Sequence, residues 1–76
     1  MFTVSNVRNG SKGANVNLLQ RLLDQAGFKG ADGNRLFIDV DCGKNTVYAI
    51  KTYQGKVGLD VDGDCGPNTW ANILGV

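Results

Sequence analysis

The sequence predicts an all-α fold, a small three-helix bundle in which two turn–helix units are built alike. Three observations predict it. Apolar residues recur at helical spacing in three separate stretches, and glycines punctuate the starts and ends of those stretches. In addition, Asp41-Cys-Gly-Lys-Asn-Thr-Val-Tyr-Ala-Ile50 aligns with Asp64-Cys-Gly-Pro-Asn-Thr-Trp-Ala-Asn-Ile73 at a constant offset of 23 residues. Asp, Cys, Gly, Asn, Thr and Ile coincide, and Asp39 and Asp62 fall in register. Two copies are too few for a solenoid, so the units are expected to pack side by side about a local pseudo-twofold.

In chain order, residues 1–6 read as the end of a linker and residues 7–76 as one domain, with Val7 the first residue to touch the core. Arg8-Asn-Gly-Ser-Lys-Gly13 is a polar lead-in. Val16, Leu19, Leu22, Leu23 and Ala26 then place the first helix from about Ala14 to Ala26, with Leu18 widening its apolar face and Gly27 as its stop. Gly30, Gly33 and Asn34 break the chain before Leu36-Phe-Ile38, which is expected to run extended over one end of the core. The second helix begins after Gly43, sets Val47, Ile50, Tyr53, Gln54 and Val57 on one side, and ends at Gly58. Leu59 and Val61 are expected to lie back over the bundle. The third helix runs from Pro67 to Leu74: proline suits a first position that needs no N–H partner, and Trp70, Ile73 and Leu74 follow at i, i+3 and i+4.

Composition removes several function classes. A 76-residue chain buries only about 60% of its unfolded surface, so a large internal cavity is not expected. The net charge is +1 and the eight basic residues are scattered singly, which gives neither a phosphate-tracking stripe nor a membrane-surface helix. No apolar run approaches the ~20 residues of a membrane span. The opening Met-Phe-Thr-Val-Ser-Asn lacks the basic and apolar regions of a signal peptide, so if the chain acts outside a cell it is expected to be a piece of a larger protein whose other part carries the export information. There is no histidine, the commonest general base and metal ligand. Cys42 and Cys65 have no imidazole to activate them, and a zinc site needs about four ligands. Catalysis by this chain alone and a bound cofactor are therefore not expected.

Asp60-Val-Asp-Gly-Asp64 resembles the opening of a calcium loop, but Cys65 and Ala71 stand where an EF-hand has its glycine and its bidentate glutamate. Asp39 and Asp62 are expected instead to accept backbone N–H groups from their own turns and from the helix starts that follow. Cys42 and Cys65 have two readings. They form a disulfide across the two turns, contributing about 3 kcal/mol in the chain-entropy model, or they are small buried hydrophobes.

Together these residues resemble the peptidoglycan-binding domain family, three-helix modules of bacterial and phage cell-wall hydrolases. The resemblance rests on the Gly10-Ser-Lys-Gly13 lead-in, the Leu19-Gln20 pair with Leu23 and Gly27, and the turn–helix units Asp39-Val-Asp-Cys-Gly-Lys-Asn-Thr46 and Asp62-Gly-Asp-Cys-Gly-Pro-Asn-Thr-Trp70. Ala49-Ile50, Tyr53-Gln54 and Gly58-Leu59 lie between them. Val40 departs from the family's glycine, Cys42 from its common aromatic residue, and Lys29 to Arg35 lengthens the first connection. The resemblance implies a peptidoglycan-binding-domain-like bundle that attaches to peptidoglycan, by glycan strand or stem peptide, and tethers a catalytic hydrolase domain of the same parent chain: an amidase, peptidase or lysin. It implies an extracellular or cell-wall location and a monomer, with no role for nucleic acid or membrane.

A ligand groove between the two turns is expected to use Asn45, Asn68, Asp62 and the backbone of Gly63 for hydrogen bonds and Tyr48 as a flat apolar face. Trp70 and Tyr53 are assigned to the core, Thr46 and Thr69 to local backbone hydrogen bonds, and Gln20 and Gln54 to helix edges, where they tie neighbouring backbone together. Arg21 and Arg35 either pair with muropeptide carboxylates or stay solvated. Two alternatives from other classes are an inhibitory pro-domain of a metalloprotease, whose cysteine segment Cys65-Gly-Pro-Asn68 resembles, and a small calcium-dependent module.

Overall fold

Helix α1 spans Ala14–Gln25, α2 Lys44–Val57 and α3 Pro67–Leu74 in the computed structural model, which describes residues 5–75. The expectations for residues 1–4 and for Val76 lie outside the described residues. Each helix starts directly after a glycine, Gly13, Gly43 or Gly66, and none has a side-chain N-cap. Asp39 and Asp62 therefore serve their own turns and leave the helix starts alone, contrary to half of the expectation. At the other end of α2, Gly58 is left-handed at φ 79° and the Leu59 N–H reaches back to the Gln54 carbonyl at 2.9 Å. That closes the last turn where a side chain would be strained.

The core is Val7, Val16, Leu19, Leu23, Leu36, Ala49, Ile50, Tyr53 and Trp70 with both cysteines. Fully burying a large aliphatic or aromatic side chain contributes about 1.5–3 kcal/mol, so this set is the main source of stability. Phe28 meets Tyr53 edge-on, with ring centroids 5.4 Å apart at 77°. The Tyr53 hydroxyl bonds the Asn72 side chain, and the Trp70 indole N–H donates to the Ser5 carbonyl at 2.9 Å. Five apolar assignments change, at Phe37, Ile38, Val57, Val61 and Leu74, all of them exposed. Phe37 is 78% exposed and Val61 is 56% exposed, while only Leu36 of the 36–38 stretch is buried. Leu74, on the predicted docking stripe, is 38% exposed. Within the eight residues of α3 only Thr69 and Trp70 are buried.

The lead-in threads between the two turns and is stitched to both. Val7 pairs with Cys65 through Val7 N–H to the Cys65 carbonyl, 3.1 Å, and the reverse, 2.8 Å. Gly10 donates to the Cys42 carbonyl at 2.8 Å, and Cys42 donates to that of Ser11 at 2.9 Å. Cys42 and Cys65 are free thiols, almost fully buried. No bridge joins them; each fills space under its own turn, held by these backbone pairs. Burial pushes the Cys42 thiol up to about 11 and Cys65 up to about 12, so both are neutral and unreactive at physiological pH.

Candidate functional site

Two glutamines build the corners. Gln20 of α1 and Gln54 of α2 are buried, and each points its amide into one turn. Gln20 Nε2 lies 3.0 Å from Asp39 Oδ1, the Asp41 carbonyl and Thr46 Oγ1, while Oε1 accepts the Val40 N–H at 3.1 Å. Gln54 Nε2 lies 2.9 Å from Asp62 Oδ1 and the Asp64 carbonyl and 3.1 Å from Thr69 Oγ1. Its Oε1 accepts the N–H groups of Asp62 and Gly63 at 3.2 and 3.1 Å. The backbone N–H groups facing one amide atom identify it as the oxygen. Thr46 and Thr69 thus face a glutamine amide from another part of the chain, where local backbone bonding was expected. The glutamines are buried hubs rather than edge residues.

Asp39 and Asp62 complete the hubs by accepting the N–H two residues on, from Asp41 at 3.1 Å and Asp64 at 2.9 Å. The Gln20 amide, then the Asp41 N–H, holds the Asp39 carboxyl below the usual carboxylate range. For Asp62 the Asp64 N–H comes first and Gln54 second. A turn held by an ionised carboxylate and a buried amide is a rigid frame on which to display polar groups.

Each corner opens into its own cleft. The second-corner cleft, about 470 Å³, is lined by Asp60, Asp62, Asp64, Pro67, Asn68 and Thr69 together with Asn6 and Leu59. The equivalent space at the first corner is about 110 Å³, because Arg35, Leu36 and Phe37 wall it in. That wall is fixed in place. Arg35 grips Asp24 with Nε–Oδ1 at 3.1 Å and Nη2–Oδ2 at 2.8 Å, and the Ala31 N–H donates to Asn45 Oδ1 at 3.0 Å. A third depression, about 320 Å³, runs along α2 past Tyr48.

The five predicted ligand residues are therefore not gathered in one groove. Asp62 and Asn68 share the second-corner cleft. Asn45 lies at the first corner with its side-chain oxygen committed to Ala31. Tyr48, 49% exposed, stands in the α2 depression. Gly63 is buried, its N–H used by Gln54. The corners do approach each other, but with their cysteine sides, across the lead-in, so their open sides form no joint groove. Arg35 is paired with Asp24, and Arg21 with Asn17 at 3.0 Å.

The family model described as "Putative peptidoglycan binding domain" matches residues 12–73. The chain belongs to this peptidoglycan-binding domain family. Solved structures agree with that membership. The N-terminal domain of SleB superposes with a TM-score of 0.84 at 29% identity, covering 99% of this chain and 96% of that one. A peptidoglycan-binding protein from Clostridioides difficile, solved with glutamine hydroxamate, gives 0.82 at 33% identity over 96% of this chain and 42% of that one. The endolysin of Burkholderia phage AP3 gives 0.79 at 39% identity over 91% of this chain and 24% of that one. The peptidoglycan-binding domain thus spans a quarter to under half of these last two chains. No curated protein sequence matches. As a peptidoglycan-binding module the chain is non-catalytic, and nothing in these matches supports the pro-domain or calcium-module alternatives. No helix among the described residues is long and apolar enough to cross a membrane.

Proposed function

We propose that this peptidoglycan-binding module holds an attached cell-wall hydrolase domain, an amidase, peptidase or lysin, against its polymeric substrate outside the cell. In this reading residues 7–76 are the monomeric module and residues 1–6 its connection. The single observation that supports it most is the partial coverage of the phage endolysin, 91% of this chain against 24% of that one. A unit of this size recurs there inside a longer chain. Tethering needs no tight binding, because a linked catalytic domain works at a local concentration set by its linker.

Within the module, the second-corner cleft is the proposed contact for neutral sugar and peptide groups. Asp62 and Asn68 lie on a frame fixed by Gln54, and the cleft is four times the size of its walled counterpart. Asn45 and Gly63 act as supports of the corners. The test is co-sedimentation of the 76-residue chain with purified, protein-free peptidoglycan. Retention of the folded wild type is expected, with loss of about tenfold in affinity for Asn68→Ala if one or two hydrogen bonds go with it. A wild type that stays in the supernatant ends the reading.

A further inference from the structure

The geometry points to the Tyr48 trough on α2 as the place where the module takes the carboxylates of the peptidoglycan stem peptide. This rests on the peptidoglycan-binding reading and adds which part of the polymer is held, and where. The trough is lined by Asn9, Ala31, Lys44, Val47, Tyr48 and Lys51. Lys44 and Lys51 stand four residues before and three after Tyr48, so all three share one helix face with an ammonium on either side of the ring. No carboxylate lines the trough, and neither lysine is in an ion pair among the described residues. By contrast, aspartates line both corner clefts. The second-corner cleft is therefore acidic, the first-corner cleft sets Arg35 and Lys44 against Asp39 and Asp41, and the trough carries cations with no carboxylate beside them.

Lys51 is also pre-positioned. Its methylene chain lies over Gly63, where an added Cβ would stand 3.0 Å from Lys51 Cε and 3.2 Å from Val47 Cγ1. The bare glycine leaves room for the lysine stem beside Val47, as amphipathic side chains use apolar surface, and Lys51 lines the trough. The floor of Val47, Ala31 and the tyrosine ring is apolar, with the two cations and Asn9 around it. That combination fits a short peptide with aliphatic side chains and free carboxylates. In peptidoglycan the glycan strand is uncharged at its sugars, and the stem peptide carries the carboxylates, so the stem peptide is the occupant.

The experiment uses the whole chain with two forms of the same purified wall, intact peptidoglycan and peptidoglycan whose free carboxylates have been blocked as methylamides. Wild type is expected to sediment with the intact polymer and to lose about tenfold in affinity on the blocked one, as for loss of two exposed charge contacts. Lys44→Gln/Lys51→Gln should bind intact wall as weakly as wild type binds blocked wall, with a flatter salt dependence. Lys44→Arg/Lys51→Arg should restore binding. Both ammonium groups are exposed and unpaired, so melting temperatures should be unchanged. Equal retention of wild type on the two walls, or of the double glutamine variant and wild type on intact wall, overturns the inference while leaving peptidoglycan binding standing. Failure of wild type to sediment with intact wall removes both.

Discussion

At position 40 the first corner turns through a left-handed valine, φ 59°, and at the equivalent position 63 the second turns through a glycine, φ 75°. The hydrogen-bonded frames around them match: glutamine amide, aspartate, carbonyl and threonine meet in the same arrangement at 2.9–3.1 Å. A β-branched residue is costly in that region of backbone space. The frame around Gln20 therefore holds the first corner in shape against its own local preference, whereas the second corner reaches the same shape unstrained. The comparison teaches that the fold is written in the polar hubs, and that residues outside them decide whether a corner opens or closes. Arg35, Leu36 and Phe37 close one, and among the described residues nothing comparable covers the other.

The largest effect should come from removing a hub. Gln54→Leu leaves the N–H groups of Asp62 and Gly63 and the Asp64 carbonyl without their partner and should cost about 3 kcal/mol in urea unfolding. Gln20→Leu should cost less, since Gln20 receives one backbone N–H where Gln54 receives two. A larger loss for Gln20 breaks the ranking of the corners.

Making the second corner imitate the first is the next test. Gly63→Val puts a branched side chain at positive φ and into Lys51 and Val47, for an expected loss of about 2 kcal/mol. The reverse exchange, Val40→Gly, relieves the valine and should raise stability by about 1 kcal/mol, read as a higher melting temperature. A loss there would mean that Val40 is not strained.

The smallest effect is on acid sensitivity. Asp39 and Asp62 have carboxyls pulled below their unfolded values, so their contribution is complete above about pH 4 and fades as pH falls through the lower folded values. Melting temperature should decline in that acid range, and Asp39→Asn/Asp62→Asn should flatten the decline. An unchanged slope would detach the carboxylates from the frames.

The helices were legible because glycine marks nearly every boundary: Gly13, Gly27, Gly43, Gly58 and Gly66 delimit what the apolar spacing fills. Tyr53 and Trp70 were legible as core from the same apolar spacing, and Val7 as the first apolar residue before the polar lead-in. The hubs were legible only in part. Asp39, Asp41 and Thr46 map onto Asp62, Asp64 and Thr69 at a fixed offset, but Gln20 and Gln54 do not share it, because they arrive from different helices at different distances along the chain. The signal available was that each follows a large core residue, Leu19 or Tyr53, on a helix preceding its Asp-x-Asp turn. Phe37 looked like core by type and proved exposed, since the Arg35–Asp24 grip and the Leu36 anchor flank it and leave its side chain outward. The joint groove failed because sequence register says that two turns are alike, and only packing says which sides they present to each other.

The indole of Trp70 holds the carbonyl of Ser5, and Val7 is paired both ways with Cys65, so the first described residues and the last helix are fastened across 65 positions of chain. Any pull delivered through Ser5 meets those bonds together and in shear, with the buried ring of Trp70 as the bolt, before it can peel α1 from the bundle. In the proposed tethering role, a load arriving at Ser5 meets this brace first.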